Sequence, residues 1–466
     1  MRIPLSDISQ QLSLEDTSNY RGMNHLLFKQ LNRTCIVIDD DPTGNQTVYN
    51  IPLLTNWDKE TILNEFKNET PVFFILTNSR SLSEEKSSEI YTEISKNIAD
   101  ASKLTNREFT IISRSDSTLR GHFSEIEAIK QTIAAQEAIS FFIPVMFEGG
   151  RVSVNDTHYI SDSDFLTPVN ETPFAEDHTF AYSNANLKAY IEEKTNGKII
   201  ASNVYSFSIN TIRSFDVVSL SKQIIALKAN QFCIANALNY NDLDKFTHAI
   251  LLAEASGKMI FFRTSSSFVP SYIGQQPKGL LSSKEILNSS NHCGGLTIVG
   301  SYVKKSSLQL NAALNHYTKD CIVEIDVETI LSKQSNEYVA SIISKIERNL
   351  TQGKDVIVYT SRTLISGKDT ASNINIASKV SSTLVSLIKN LNVRPKYILA
   401  KGGITSHDLA TKGLGMKRSK VLGQIEAGIP VWSMGKETKF PNLLYIVFPG
   451  NVGNENSLLK IIQKLN

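Results

Sequence analysis

Short β-rich apolar runs alternate along this chain with longer segments in which apolar residues recur at three- and four-residue spacing. In the first half the runs are residues 34–38 (TCIVI), 72–76 (VFFIL), 109–113 (FTIIS) and 139–145 (ISFFIPV), with helical patterns at 83–103 and 122–138 between them. Residues 147–185 break the rhythm with Gly149, Gly150 and a polar run, which reads as a long loop. Strands are then predicted at 198–201, 231–236 and 259–262. A second series predicts strands at 296–299, 321–325, 355–359, 397–400 and 443–448, and helices at 306–317, 370–391 and 405–414. Strand, helix, strand is the pattern of a parallel sheet covered on both faces. The expected fold class is α/β: two doubly wound, mainly parallel-sheet domains with an active-site cleft between them.

Residues 1–33 are polar with weak helical periodicity and read as an N-terminal helical extension. Residues 264–295 are rich in Ser, Pro, Gly, Gln and Asn and lack a sustained period, the composition of a connection. The expected organisation is therefore a first domain at 34–270, a linker at 271–293 and a second domain at 294–466.

The length of 466 residues fits two or three domains, and 41% hydrophobic residues can fill more than one core. With 48 Lys+Arg against 46 Asp+Glu, the net charge of +2 gives no global attraction to nucleic acid or anionic membranes. Cys35, Cys233, Cys293 and Cys321 form no C-x-x-C pair, so no zinc cage or redox motif is signalled. No run approaches the roughly 18 to 20 apolar residues of a membrane span, and the N-terminus lacks the apolar centre of a signal peptide. A cytoplasmic enzyme acting on small molecules is the expectation, with no nucleic-acid or membrane partner.

In open parallel sheets ligands bind beyond the carboxyl ends of strands, which directs the reading to the residues after each apolar run. The first is followed by Asp39-Asp40-Asp41-Pro42-Thr43-Gly44. One of these carboxylates could hold Mg²⁺ and another accept a proton from a hydroxyl, because adjacent carboxylates in unequal environments separate in pKa. An acidic turn with capping aspartates is the structural alternative. Thr77, Asn78, Ser79 and Arg80 follow the second strand and suit hydrogen bonds to a polyol or carboxylate; a capping turn explains them almost as well. After the third strand, Arg114-Ser115-Asp116-Ser117-Thr118-Leu119-Arg120-Gly121-His122 is the densest polar cluster, able to form a carboxylate clamp with hydroxyl readers. Gly150 and Arg151 end the turn after the fourth strand.

The second domain carries glycine turns instead. Lys401 precedes Gly402, Gly403, Ile404, Thr405 and Ser406, where glycines let backbone N–H groups approach an anion at a helix start. Gly300-Ser301 and Gly450-Asn451-Val452-Gly453 follow two further strands and match in kind. Three such turns suggest a nucleotide seat. The G-x-x-x-x-G-K-[ST] loop and a G-x-G-x-x-G between strand and helix are both absent, which disfavours P-loop kinases and Rossmann dehydrogenases. No H-x-x-x-H and no G-x-S-x-G supports a zinc or serine hydrolase.

The ordered set IDDDPTG (38–44), TNSR (77–80), RSDSTLRGH (114–122), GGR (149–151), GSY (300–302), KGGITS (401–406) and PGNVG (449–453) resembles the four-carbon acid sugar kinase family over about residues 34–460. That resemblance implies a sugar-acid-binding N-terminal domain and a nucleotide-binding C-terminal domain. It further implies ATP-dependent phosphorylation of a terminal hydroxyl on threonate, erythronate or a 2-oxo-tetronate. Residues 40–44 match the family's D-D-L-T-G with Pro42 in place of Leu, and 116–121 match its D-S-T-L-R-G unchanged. The family's nucleotide contacts carry over to Ser301, to 402–406 and to Gly453, although Tyr302-Val303 departs from the common Cys-Ser.

The site implied in this way has Asp40, Asp41 and Arg120 as catalytic residues. Asn78, Ser79, Arg80, Asp116, Ser117, Thr118, Arg120, Gly150 and Arg151 bind the acid sugar. Ser301, Gly402, Gly403, Ile404, Thr405, Ser406, Gly450 and Gly453 bind ATP. Mg²⁺ is expected to bridge phosphate oxygens, no metal ligand is assigned, and a homodimer is the assembly left open. The rival reading is a haloacid-dehalogenase-type sugar phosphatase, because residues 39–43 also spell D-x-D-x-T, with Asp39 as nucleophile and Asp41 as acid/base.

Overall fold

The computed structural model describes residues 2–162, 164–287, 291–332, 335–362 and 370–465. The chain forms two compact units, one of Met1–Val48 with Asn56–Pro277 and the other of Tyr49–Thr55 with Lys278–Asn466. Both are α/β.

The main sheet of the first unit has seven strands in the order Tyr205–Phe207, Phe232–Ala235, Ile139–Ile143, Ile260–Thr264, Phe109–Arg114, Thr34–Asp39 and Val72–Leu76. Every neighbouring pair is parallel. Helices cover both faces, so strands such as Thr34–Asp39 and Val72–Leu76 are buried at every position and read as unbroken apolar runs. Helix Glu84–Thr105 shows why its boundaries were legible. Ser83 caps it by accepting from the Lys86 N–H, and Asn106 ends it in the left-handed conformation at φ 51°.

Three expectations fail in this unit. The predicted loop at 147–185 contains strands Arg151–Val154, Thr157–Asp162 and Phe165–Pro168, which pair antiparallel with one another and with Ile3–Pro4. Their inward Val152, Val154, Tyr159 and Leu166 make a small core with Ile8 and Ile209. With polar residues at the intervening positions, these strands contain no unbroken apolar run like those of the main sheet. No strand forms at 198–201: Ile200 is half exposed, and the edge strand is Tyr205–Phe207. The Ser-rich run after residue 264 begins as core, with Ser265, Ser266, Ser267, Phe268 and Tyr272 all buried and helix Phe268–Tyr272 within it. Residues 288–290 of the expected linker lie outside the described residues.

The N-terminal residues are packed too. Helix Tyr20–Leu31 sets Arg21 Nε 2.8 Å from Asp244 Oδ1, and the buried Asn24 amide donates to the carbonyls of Asp244 and Ser271.

The second unit has an eight-stranded sheet. Ile322–Ile325, Val356–Thr360, Leu296–Val299, Tyr397–Lys401 and Leu444–Phe448 are parallel neighbours in that order. Ile429–Met434, Arg418–Glu426 and Ile51–Leu54 continue it antiparallel. These last three strands escaped the sequence reading. Arg418–Glu426 alternates exposed and buried residues, so it carries no apolar run, and Ile51–Leu54 is only four residues long with Pro52 inside. The helix expected at 405–414 is shorter and wider: Gly403–Asp408 is α-helical and Leu409–Gly413 forms a π turn. Among the described residues no helix is long and apolar enough to cross a membrane.

Candidate functional site

Strand register brings the acidic and basic turns of the first unit together. Asp39 is paired across the sheet with Arg114 on one side and Leu76 on the other, and Arg114 is paired with Thr264. The turns that leave these strands therefore emerge side by side at the carboxyl end of the sheet. Gly44 lies against the Asp39 carboxylate and the Arg114 guanidinium, where a Cβ has no room.

Charged groups interlock here. Arg114 Nη1 is 3.2 Å from Asp39 Oδ1 and 3.5 Å from Asp40 Oδ1, and Nη2 donates to Ser266 Oγ at 2.7 Å. Arg80, aimed by the left-handed Asn78 at φ 53°, pairs through Nη2 with Asp41 and through Nη1 with Asp116 at 3.3 Å, while its Nε stands 3.8 Å from Asp40. Arg120 Nε lies 2.8 Å from Asp116 Oδ2, and its Nη1 is 3.4 Å from Asp177. The Arg120 and Arg151 guanidinium groups both stand over the Phe174 ring, at 5.2 and 5.9 Å.

The carboxylates are driven apart in proton affinity. Asp40 is wholly buried with no hydrogen bond to either oxygen. Burial pushes its pKa up, and Arg80 and then Arg114 pull it back only in part, so it stands well above the usual carboxylate range. Burial likewise raises Asp39, to about 6. At Asp116 burial acts in the same direction, but Arg80 and Arg120 overcome it and hold the carboxyl well below the usual range. One acid is thus fixed as an anion while its neighbour can take up a proton near neutrality.

The remaining residues expected to bind substrate are engaged within the fold. Ser79 Oγ donates to Glu125 at 2.9 Å, Ser117 Oγ to the Met146 sulfur at 3.4 Å, and Thr118 Oγ1 to Asp116. The Asn78 amide donates to Ser81 Oγ. Gly150 turns at φ 72° against the Ser161 carbonyl, and Arg151 Nη1 donates to the Gly149 carbonyl while its buried Nε has no partner. Asp177 and the buried pair Arg263 and Glu125, 3.4 Å apart, were not singled out from sequence. Arg114 was, as part of the cluster after the third strand, and the structure pairs it with Asp39 and Asp40.

In the second unit, register aligns Val299, Lys401 and Phe448, and the three glycine turns follow from their ends. A Cβ on Gly300 would strike the Thr405 hydroxyl, Gly402 needs its φ of 116°, and a Cβ on Gly450 would sit 3.1 Å from Ser301 Oγ. Ser306 Oγ is 3.0 Å from Ser301 Oγ and donates to the Gly450 carbonyl at 3.1 Å. Gly453, at φ 80°, packs against Ser457.

Gly403 faces open space, Thr405 is half-buried and Ile404 is 64% exposed, whereas Ser406 is buried and donates to carbonyls 400 and 402. Lys401 is fully buried, with Nζ 3.7 Å from the Phe448 ring centroid and 3.1 Å from the Pro449 carbonyl. Burial, then Lys305 and Arg362, lower its pKa to about 7. Arg362 donates from Nη1 to the Ser301 carbonyl at 2.6 Å.

An acid-and-arginine pocket on one α/β unit and a set of glycine turns on another define a protein that pairs a sugar site with a nucleotide site. The models of a sugar-binding N-terminal domain and a nucleotide-binding C-terminal domain match residues 35–272 and 296–458. The chain belongs to the four-carbon acid sugar kinase family, formerly the domain of unknown function 1537. Among solved structures, a Haemophilus influenzae protein of that former domain of unknown function is 15% identical with a TM-score of 0.62, over 92% of this chain and 99% of its own. A Salmonella typhimurium LT2 protein, labelled a candidate tRNA synthase, is 14% identical with a TM-score of 0.66, over 92% and 98%. At such identities the likeness establishes fold. No curated protein is similar enough in sequence to count as a relative. The nucleotide-binding domain supports an ATP-using enzyme of this family.

Proposed function

We propose that the protein transfers the γ-phosphoryl group of ATP to a terminal hydroxyl of a four-carbon acid sugar: threonate, erythronate or a 2-oxo-tetronate. The observation that carries this reading is Asp40, a buried carboxylate with no hydrogen bond of its own and a raised pKa, beside the two turns that bear Arg80 and Arg114. Such a group is suited to accept a hydroxyl proton, since a general base works best with a pKa near the operating pH. Arg120, with Arg151 beside it over Phe174, binds the substrate carboxylate. Asp116 stays anionic, holds Arg80 and Arg120 in place and accepts from substrate hydroxyls. Asp41 is tied to Arg80 and to the Thr43 N–H, and so orients Arg80 over the same pocket.

ATP is held by the turns at Ser301, Gly402–Ser406 and Gly450–Gly453, where backbone N–H groups and the open face of Gly403 accommodate phosphate. Mg²⁺ travels with the nucleotide in this reading. Among the described residues no group of three or more His, Cys, Asp or Glu could hold a metal, and Mg²⁺ is commonly bound largely through phosphates and water. When bound, it neutralises charge on the β- and γ-phosphates, and the rest of the catalysis is positioning. The test is an ATP-consumption screen over C4 to C6 aldonates and their 2-oxo derivatives, with mass spectrometry of the product. ADP formation that depends on a C4 acid sugar supports the assignment; ADP formation indifferent to every acid sugar overturns it.

A further inference from the structure

The second unit contains a cluster of cations that has no counter-charge among the described residues. Arg362 follows strand Val356–Thr360, the parallel neighbour of Leu296–Val299, and reaches the Ser301 turn. Its Nη1 donates to the Ser301 carbonyl, but Nε and Nη2 are buried and have no acceptor. Lys305 donates to the carbonyl of Asn451 at 3.2 Å, and Lys401 to that of Pro449. None of the three has an ion-pair partner among the described residues. Lys305 and Arg362 are both close enough to Lys401 to disfavour its charge. The acid nearest in influence to Arg362 is Glu324, which instead accepts from the Tyr359 hydroxyl at 3.2 Å.

Buried guanidinium N–H groups without acceptors are costly to a fold, and like charges gathered without an anion add to that cost. Arrangements of this kind persist where a ligand completes them. We propose that Arg362, flanked by Lys305 and Lys401, is the side-chain anchor for the polyphosphate of the nucleotide, with its free Nε and Nη2 donating to phosphate oxygens beside Ser301. A guanidinium fork matches two phosphate oxygens at once, and the Ser301 carbonyl fixes its third donor so that the fork is already oriented. The inference rests on the nucleotide seat proposed above. It deepens that reading by assigning phosphate recognition to side chains, one of them at the end of a strand outside the three glycine turns named above.

Calorimetric titration of the full-length protein with ATP, adenosine and inorganic tripolyphosphate tests it, using wild type, Arg362→Gln and Arg362→Lys. The expected result is that Arg362→Gln weakens ATP and tripolyphosphate by about tenfold or more, equivalent to about 1.4 kcal/mol, and leaves adenosine within twofold. Arg362→Lys, which keeps the charge but loses the fork, should fall between the two. If Arg362→Gln does not fold, as read by its thermal unfolding, Arg362→Lys decides alone through weakened tripolyphosphate binding and unchanged adenosine binding. Wild type that binds ATP, matched by either folded variant in tripolyphosphate affinity, overturns the inference and leaves the nucleotide seat standing. Wild type that binds neither ATP nor tripolyphosphate overturns both.

Discussion

The two strand ends proposed to carry chemistry present opposite electrostatic problems. At the carboxyl end of the first sheet, charges of both signs are present in abundance and are largely spent on one another: Arg114 on Asp39 and Asp40, Arg80 on Asp41 and Asp116, Arg120 on Asp116 and Asp177. At the carboxyl end of the second sheet, Lys305, Arg362 and Lys401 donate to carbonyl oxygens and have no acidic partner among the described residues, and glycines keep the surrounding backbone open. A site that balances its own charges is preorganised to receive a small ligand of modest charge and to bias one proton. A site that holds positive charge in excess is incomplete until a polyanion arrives.

The sharpest way to break this comparison is at Asp40. Replacing it with Asn should lower kcat by about 10² to 10⁴ while ATP affinity is retained, as expected for loss of a general base. Because burial raises the Asp40 pKa, the wild-type rate should fall on the acid side at a pH above the ordinary carboxylate range, and that limb should vanish in Asp40→Asn. The stability consequence has the opposite sign. A carboxyl whose pKa is raised on folding holds its proton more tightly in the native state, so its contribution is present at low pH and is lost as pH rises through the folded pKa. Asp40→Asn should therefore unfold at a higher temperature than wild type at pH 8 and show a smaller gain at pH 5. Equal kcat in the two proteins would remove Asp40 from the chemistry.

Next in size is Arg120→Ala, expected to raise KM for the acid sugar by about 10- to 100-fold, the value of one charge-assisted contact, without altering ATP affinity. A matching loss in ATP affinity would show that the two sites are not separable in the way their electrostatics suggest. Gly403→Val follows: a Cβ here meets no protein atom within 4 Å, and the side chain would enter the space proposed for phosphate, so ATP affinity should drop about tenfold with the unfolding temperature nearly unchanged. The smallest effect is that of salt. Raising ionic strength from about 0.05 to 0.5 M should weaken ATP binding several-fold and acid-sugar binding less, because only the nucleotide seat relies on uncompensated cations.

The difference between the sites also governed how much of each was legible. Asp39 to Gly44, Thr77 to Arg80 and Arg114 to His122 stand directly after apolar runs, and residues at the ends of neighbouring parallel strands must converge whatever the details of the helices. The glycine turns were visible for the same reason. Arg362 was not, because Thr360 to Ser366, the residues that follow Tyr359, hold no glycine, no acid cluster and no motif, and a lone arginine past a strand looks like any surface cation. Ser79 and Ser117 illustrate the converse: their hydroxyls looked like substrate readers, and the fold ties them to Glu125 and Met146.

The sequence by itself determined the α/β class, most of the parallel strands and the turns proposed to bear the chemistry, because burial on both faces writes strands as apolar runs and close backbone approach favours glycine. Only the tertiary structure decided which aspartate is buried without a hydrogen bond, which arginines are spent on internal acids, and that residues 49–55 belong to the second unit. Those outcomes depend on distances between groups far apart in the chain. A charge's partner, and hence its proton affinity, is set by what packs against it and not by its neighbours in sequence.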